Sequence, residues 1–310
     1  MRNVTVAATQ MACTSNTADN LERATALVLS AAAKGAQIIL LQELFETPYF
    51  CQKPLEKYFS LARSVEENPA IAHFRTIARE NKLVLPISFF ERDNNAFYNS
   101  LAVIDADGEV LGVYRKSHIP DGAGYQEKFY FNPGDTGFKV WDTAYGRIGC
   151  GICWDQWFPE TARCLALMGA ELLFFPTAIG SEPLEPDVNS RAHWQITMQG
   201  HAAANLTPVI ASNRVGTEHE EESFIRFYGS SFIADEQGQI VKSLGEEETT
   251  TCIATFDLDA IALARRSWGV FRDRRPDLYG PLLTMDGHTQ LIDYRLTDPA
   301  EAHSALSSLL

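Results

Sequence analysis

The amino-acid sequence predicts a layered α/β domain built around a mixed β-sheet. Apolar runs of strand length alternate with stretches of helical periodicity, and in several places two strands follow one another without a helix between them. Strand–helix–strand units favour parallel pairing, whereas directly consecutive strands favour antiparallel hairpins. No low-complexity spacer divides the 310 residues, of which 45% are hydrophobic, so we expect one large domain rather than several small ones.

The first half of the chain is predicted to contain two helices set among strands. The first helix has apolar residues at helical spacing and ends near Gly35, and the Asp-Ala-Asp-Gly sequence at 105–108 is typical of a hairpin turn. The predicted elements are strand 4–11, helix 20–33, strand 38–44, helix 70–81, and strands 83–90, 100–105 and 110–115.

The second half is predicted to continue the alternation and to finish in further strands. Pro159 suits the first turn of a helix that runs to about Gly169, and residues 236–238 form a turn between two strands. The predicted elements are strand 147–153, helix 159–169, strand 172–177, helix 190–205, and strands 209–214, 230–234, 239–243 and 252–257.

Three predicted strands end in chemically active side chains. Glu43 closes the apolar run 38–43, Lys116 closes 110–116, and Cys153 closes 146–153 just before a turn. Strand ends in a parallel or mixed sheet converge on one edge, so we expect these three side chains to meet. A carboxylate can carry a proton, an ammonium can stabilise an oxyanion and a thiol can attack a carbonyl carbon. This set predicts hydrolysis of a carbon–nitrogen bond.

Five segments of the chain resemble, in the same order, blocks of the nitrilase superfamily of carbon-nitrogen hydrolases. They are residues 7–10, 41–44, 114–116, 149–155 and 211–216. The resemblance covers nearly the whole chain, and Glu43, Lys116 and Cys153 match the Glu-Lys-Cys signature of that superfamily. It implies a four-layer α-β-β-α sandwich with two mixed sheets and a hydrolase domain that spans residues 1–267.

Four further segments resemble the members of that superfamily that act on N-carbamoylputrescine: 47–51, 118–121, 124–134 and 178–183. This resemblance implies a small cationic ureido substrate, a covalent intermediate on Cys153, and a place in polyamine synthesis from agmatine. It implies neither a metal ion nor an organic cofactor. An N-carbamoyl amino acid, a simple amide or a nitrile is the alternative substrate, and a thiol redox or binding module is the alternative from another class.

The same resemblance assigns roles to two further groups around the triad. Glu127 matches a second glutamate near the lysine and is expected to orient Lys116 and the substrate nitrogen, with Asp121 as a less favoured substitute. The backbone N–H of Trp154, directly after the nucleophile, is a candidate second oxyanion donor.

The substrate end remote from the ureido group is expected to meet an acidic side chain. Glu182, which follows the predicted strand 172–177, is the residue chosen for the ammonium group. The slot is expected to be lined by Tyr49, Trp154 and Thr177. Arg191 and Arg214 leave an alternative open, because either could bind the carboxylate of an N-carbamoyl amino acid.

Competing interpretations of the cysteines and histidines carry less weight. Cys150 and Cys153 form a C-x-x-C sequence, but both fall in a predicted strand, where a spacing of three sends side chains to opposite faces. No second cysteine pair or paired histidine motif completes a zinc site. A cysteine–histidine dyad could involve His118, His193 or His201, although none has the sequence context of a cysteine protease.

Composition narrows the possible partners and the compartment. The formal net charge of −14 disfavours binding to nucleic-acid backbones, and the N-terminus lacks the apolar core of a signal peptide. No apolar stretch is long enough for a membrane span, and six scattered cysteines suit a reducing compartment, so we expect a cytoplasmic protein. The resemblance to the nitrilase superfamily further implies that residues 268–310 form a C-terminal arm and tail at a subunit interface, in a homodimer or a larger homo-oligomer.

Overall fold

The computed structural model of the chain describes residues 1–185 and 187–288. Its α-helices are α1 Thr17–Ala33, α2 Pro69–Asn81, α3 Pro159–Leu167, α4 Arg191–Asn205 and α5 Leu258–Trp268. Its strands are β1 Asn3–Gln10, β2 Ile38–Leu40, β3 Leu85–Asp93, β4 Ala96–Ile104, β5 Val110–Arg115, β6 Val140–Thr143, β7 Gly146–Cys150, β8 Leu172–Pro176, β9 Val209–Ser212, β10 Val215–Glu220, β11 Ser223–Tyr228, β12 Phe232–Ala234, β13 Ile240–Ser243 and β14 Thr250–Asp257.

Two compact units make up the chain, one of residues 1–267 and a second that begins at Trp268. Within the described part of the second unit, short 3₁₀ turns span Pro276–Leu278 and Gly280–Leu283. Residues 289–310, which include the predicted tail, lie outside the described residues. The placement of an arm at a subunit interface stays a prediction.

The first sheet of the larger unit is mixed. Strand β1 pairs antiparallel with β14 and parallel with β2, and β3, β4 and β5 form an antiparallel meander. A parallel bridge between Ile38 and Val84 connects the two groups, so the strand order is β14-β1-β2-β3-β4-β5. The predicted hairpin turn lies between β4 and β5, where Gly108 takes the left-handed φ of 84° that such turns require.

The second sheet has the order β13-β12-β9-β8-β7-β6 and is also mixed. Its central strands β7, β8 and β9 run parallel, whereas β6, β12 and β13 join them by antiparallel pairing. The helices α3 and α4 connect the central strands, as expected for parallel neighbours that need a crossover. The hairpin β10–β11 stands apart from both sheets as a two-stranded ribbon.

Alternation of side chains along the strands produces four layers. In the first sheet, Val6 and Ile38 enter the core between the sheets, whereas their neighbours Ala7 and Ile39 pack with residues of α1 and α2. In the second sheet, Leu172 and Phe174 face the same central core, and Leu173 and Phe175 pack with α3 and α4. The α-β-β-α sandwich with two mixed sheets is therefore confirmed.

Two predicted strands end earlier than their apolar runs indicate. Strand β2 ends at Leu40 and β7 at Cys150, so Glu43 and Cys153 lie in the turns that follow rather than within the strands. The cause is backbone geometry, since Leu44 has a φ of 49° and Cys153 a φ of 40°, and neither value fits an extended strand. The predicted opposite facing of Cys150 and Cys153 is wrong for the same reason, and both side chains border the core between the sheets.

None of the helices within residues 1–185 and 187–288 combines the length and the apolar character needed to traverse a bilayer.

A buried carboxyl group in the turn after β2 makes the stability of the fold depend on pH. Glu46 accepts a hydrogen bond from Asn68 Nδ2 at 3.1 Å, and Asn68 caps the start of α2. Burial raises the pKa of Glu46 to about 7, against the lowering effects of Asn68 and Arg63. The folded protein therefore holds this proton more tightly than the unfolded chain, and its stability falls as the pH rises from about 4.5 to 7.

Replacing Glu46 by glutamine should increase the free energy of unfolding at about pH 8, because the buried negative charge is removed while a hydrogen-bond acceptor for Asn68 remains. The expected gain is at most about 3 kcal/mol, and it should disappear near pH 4.5, where the wild-type carboxyl group is already protonated. Urea unfolding of both proteins across this pH range measures the difference. A gain that is equal at all pH values would contradict the assignment.

Candidate active site

Three charged side chains from distant parts of the sequence form one buried cluster. Lys116 Nζ donates to Glu43 Oε1 at 2.9 Å and to Glu127 Oε2 at 2.6 Å. None of the three side chains exposes more than 1% of its surface. Lys116 lies directly after β5, Glu43 in the turn after β2, and Glu127 at the start of a 3₁₀ turn, Glu127–Phe129. The structure thus brings together the predicted acid and amine, with Glu127 as the second carboxylate.

The two carboxyl oxygens of Glu43 have different surroundings. Oε1 accepts hydrogen bonds from Lys116 and, at 2.7 Å, from Asn99 Nδ2. Oε2 is buried and has no hydrogen-bond partner among the described residues. A buried polar atom without a partner is costly, and such atoms occur where a substrate or water completes the site. Oε2 is therefore the atom of Glu43 that is available to take up a proton.

Charge balance within the cluster keeps Lys116 protonated. Burial by itself would lower the pKa of Lys116, but the carboxylates of Glu127 and Glu43 more than offset this effect, and the net pKa is raised well above its usual value. The pKa of Glu127 is also raised, chiefly by burial and also by the charge of Glu43, while Lys116 acts to lower it. A permanently charged ammonium group at this position can stabilise negative charge that develops on a substrate oxygen.

The nucleophile candidate lies at the point where the chain leaves β7. Cys153 opens the 3₁₀ turn Cys153–Trp157, and its Sγ lies 3.8 Å from the carbonyl oxygen of Ala178. Burial raises the pKa of the Cys153 thiol well above 9, and Glu43 raises it further, whereas Lys116 lowers it. The sulfur therefore carries its proton at neutral pH, and a base must remove that proton during attack.

Asp155 fixes the turn that carries the nucleophile. Its Oδ2 accepts from the N–H of Ile152 at 2.9 Å and from the Tyr114 hydroxyl at 2.8 Å. Its Oδ1 accepts from the N–H of His118 at 3.0 Å and lies 2.7 Å from His118 Nδ1. His118 is thus tied to Asp155, and His201 Nε2 lies 2.7 Å from the carbonyl oxygen of Gln156. These contacts disfavour a dyad of Cys153 with either histidine.

A cavity of about 440 Å³ opens onto Cys153. Its walls comprise Pro120, Asp121, Gly122, Tyr125, Glu127, Cys153, Trp154, Trp157, Ala178, Ile179, Glu182, Ser190 and His193. Three of the predicted site residues, Glu127, Trp154 and Glu182, border this cavity, and so does Asp121. The sequence did not indicate the contributions of Tyr125 and Trp157, whereas His193, one of the three histidines considered for a dyad with the cysteine, does border the cavity.

Two residues predicted to line the slot do not lie on the wall of this cavity. Tyr49 is buried, and its hydroxyl donates to Glu127 Oε1 at 2.7 Å, so it supports the carboxylate instead. Thr177 continues the pairing of β8 with β9 through a bond from its N–H to the carbonyl of Ser212, and its hydroxyl donates to Gln156.

The charged residues on the cavity wall are acidic. Asp121, Glu127 and Glu182 border it, and the described lining contains neither lysine nor arginine. The two arginines that could have bound a substrate carboxylate are occupied elsewhere, since Arg214 is paired with Glu218 inside the protein and Arg191 with Glu246. The wall thus favours a positively charged substrate end.

The two cysteines of the C-x-x-C sequence differ in their surroundings, because only Cys153 borders the cavity. Cys150 and Cys153 are not joined by a disulfide, and burial raises the pKa of the Cys150 thiol, which keeps it unreactive. Among residues 1–185 and 187–288, no group of three or more His, Cys, Asp or Glu side chains is arranged to hold a metal ion.

Some residues that support the site were not given that role in the sequence analysis, where Arg214 was considered only as a partner for a substrate carboxylate. Asp155 and Arg214 belong to the segments 149–155 and 211–216 that resemble the superfamily, so their motifs were a usable signal. Asn99 and Glu218 carry no such signal, because their importance depends on the partners that folding brings to them.

Comparisons with known proteins bear on the family and the fold of the chain. Residues 5–266 match the family model described as carbon-nitrogen hydrolase. The chain is 57% identical over 288 residues to an N-carbamoylputrescine amidase of Oryza sativa subsp. japonica, a match that covers 92% of this chain and 96% of that protein. It is 53% identical over 283 residues to a citrullinase of Francisella tularensis subsp. tularensis, a match that covers 91% of this chain and 99% of that protein. The crystal structure of a carbon-nitrogen hydrolase from Helicobacter pylori G27 superimposes with a TM-score of 0.85 at 38% identity, and the match covers 92% of this chain and 99% of that chain.

Proposed function

The chain belongs to the carbon-nitrogen hydrolase family, and we propose that it hydrolyses N-carbamoylputrescine to putrescine, ammonia and carbon dioxide. One observation carries the choice of substrate. The cavity that reaches Cys153 is bordered by carboxylates, and the described lining holds neither lysine nor arginine to bind an anionic end group. A ureido group at the thiol with an ammonium group further along the cavity fits this distribution of charge.

The first half-reaction begins at the thiol. As Cys153 Sγ attacks the ureido carbon, Glu43 takes the thiol proton, and Lys116 stabilises the alkoxide that forms from the carbonyl oxygen. The N–H of Trp154 is the proposed second donor to that oxygen. When the tetrahedral intermediate collapses, the bond to the terminal nitrogen breaks, and Glu43 returns the proton to it. Ammonia departs and leaves Cys153 as a thiocarbamate.

The second half-reaction restores the enzyme with water. Glu43 removes a proton from water, the hydroxide attacks the thiocarbamate carbon, and the carbon–sulfur bond breaks with return of a proton to Cys153. The released N-carboxyputrescine then loses carbon dioxide to give putrescine. Through its contact with Lys116, Glu127 keeps the lysine ammonium directed towards the carbonyl oxygen of the substrate in both halves.

Glu182 is the proposed partner of the substrate ammonium. Its carboxylate is half-buried on the cavity wall, and its pKa is raised by burial and by repulsion from Glu185. An ammonium group would offset both effects and stabilise the charged carboxylate. The contact exists in the bound substrate and in the transition state alike, so it should contribute to binding rather than to the chemical step.

Replacing Glu182 by glutamine should therefore raise KM for N-carbamoylputrescine roughly tenfold with little change in kcat. The neutral analogue N-butylurea, which lacks the ammonium group, should be affected much less. Glu185→Gln is the matched control, since it removes a nearby charge that does not line the cavity. Steady-state kinetics on both substrates provide the measurement, and an equal loss on both would contradict the assignment.

A substrate panel tests the proposed function as a whole. N-carbamoylputrescine should have a much higher kcat/KM than L-citrulline or N-carbamoyl-β-alanine, because both of these carry a carboxylate that the acidic wall repels. The 53% identity to a citrullinase makes L-citrulline the most informative competitor. Equal kcat/KM values for these substrates would refute the proposed specificity.

A further inference from the structure

Arg214 lies beneath the active site with no exposed surface. Its guanidinium donates to the backbone carbonyls of Glu43 at 2.9 Å, Leu44 at 2.7 Å and Thr47 at 3.0 Å. The same group donates to Glu218 Oε1 at 2.8 Å. A guanidinium has several donors in a fixed planar arrangement, so one side chain can hold all of these oxygens in place.

Glu218 extends this contact to the other side of the site. Its Oε2 accepts a hydrogen bond from the N–H of Tyr49 at 2.5 Å, and the Tyr49 hydroxyl donates to Glu127. Since Glu127 and Glu43 both accept from Lys116, the contacts form a closed circuit that begins and ends at the arginine. Residues 43–49 carry two members of this circuit, the base candidate Glu43 and Tyr49.

The backbone of residues 43–49 needs this support. Leu44 has a left-handed φ of 49°, a conformation that costs free energy for a residue with a branched side chain. Most of residues 41–47 lie in turns rather than in a strand or helix, so their carbonyl groups depend on other donors. Arg214 supplies those donors at the two residues, Glu43 and Leu44, where a small rotation would move the base away from the thiol.

We propose that Arg214 and Glu218 are positioning residues for the hydrolysis, and that their buried ion pair places Glu43 for proton transfer with Cys153. The proposal rests on the proposed function for its kinetic readout. Neither residue lines the cavity, so the effect should fall on kcat and leave KM for N-carbamoylputrescine nearly unchanged. It also predicts a signature that does not depend on the substrate, because Glu43 raises the pKa of the Cys153 thiol.

Two variants test the proposal. Glu218→Gln removes the charge while it keeps the shape, and Arg214→Lys keeps the charge while it loses the planar set of donors. Each should lower kcat roughly 10- to 100-fold with KM within about twofold of wild type. Glu171→Gln is the control, because it breaks an ion pair with Arg2 at the opposite end of β8. All kinetics are measured below the melting temperature of the least stable variant.

The second readout is the rate at which iodoacetamide alkylates Cys153 as a function of pH. If Glu43 moves away, the thiol loses a group that raises its pKa, and the alkylation profile should shift to lower pH in both variants but not in Glu171→Gln. Unchanged profiles, unchanged kcat, or a loss confined to KM would each overturn the proposal. If the wild type fails to hydrolyse N-carbamoylputrescine, the proposed function fails. The alkylation profiles alone then test whether Arg214 and Glu218 position Glu43 relative to Cys153.

Discussion

Replacing Cys153 by serine is expected to abolish turnover of N-carbamoylputrescine while the fold is retained. The side chain changes by one atom at a position that borders a cavity, so packing is little affected. A serine hydroxyl has a far higher pKa than a thiol and is a much weaker nucleophile, and nothing else in the described cavity replaces the sulfur. We expect kcat to fall by a factor on the order of 10⁴ or more.

Intact-mass measurement distinguishes this role from a redox or binding role. After a rapid mix with substrate, the wild type should carry an adduct equal to the substrate less ammonia, and Cys153→Ser should carry none. Cys150→Ala is the matched control, since that sulfur lies three residues earlier in the core between the sheets. The control should lose stability through a small core cavity but keep kcat. Equal losses of activity in both variants would indicate that the two cysteines act as a redox pair.

The layered fold could be predicted because apolar runs of strand length alternate with stretches of helical periodicity along the sequence. Residues 6–8 and 172–175 are apolar on both faces, which is typical of strands packed between two other layers. The helices α1, α2 and α4 were predicted almost to their ends, because each presents apolar residues at helical spacing. The existence of two separate sheets came from the resemblance alone, since periodicity does not say which strands pair.

Strands β6 and β10, which were not predicted, bury few residues. In β10 only Val215 and Glu218 are buried, and one of them is charged, so the strand lacks a regular apolar alternation. Strand β6 buries only Trp141. Helix α5 did leave a signal, because Asp257 caps it by accepting from the N–H groups of Asp259 and Ala260. These weak patterns become regular structure only through their tertiary contacts.

The chemical groups of the site could be predicted more reliably than their surroundings. Glu43, Lys116 and Cys153 were assigned from strand ends and motif order, and the first two are in direct contact. The directions in which the side chains of Tyr49 and Thr177 point could not be inferred from the sequence. Both residues lie next to irregular backbone, where the alternation of side chains along a strand no longer applies. The left-handed backbone at Cys153 was equally hidden, since no glycine marks the turn.

Replacing Glu43 by glutamine is expected to lower kcat for N-carbamoylputrescine by roughly three orders of magnitude. Glutamine retains an oxygen that can accept from Lys116 and Asn99, so the cluster keeps its packing. It replaces the unpartnered Oε2 by an amide nitrogen that cannot take a proton. The fall in kcat therefore measures the loss of proton transfer alone, because the position of the side chain is retained. Glu46→Gln, a change of the same kind three residues along the same turn, should leave kcat within about twofold of wild type.

Both half-reactions need Glu43, so the Glu43→Gln variant should be slow in forming the thiocarbamate and also slow in hydrolysing it. Attack by Cys153 needs a base for the thiol proton, and release of the thiocarbamate needs a base for water, so both steps should slow. Quenched-flow mass spectrometry resolves them: the adduct on Cys153 should form slowly and then persist far longer than in the wild type. A loss of less than tenfold, or an adduct that forms and disappears at wild-type rates, would remove Glu43 from the mechanism. Proton transfer would then have to be assigned to Glu127, which also contacts Lys116 and which itself borders the cavity.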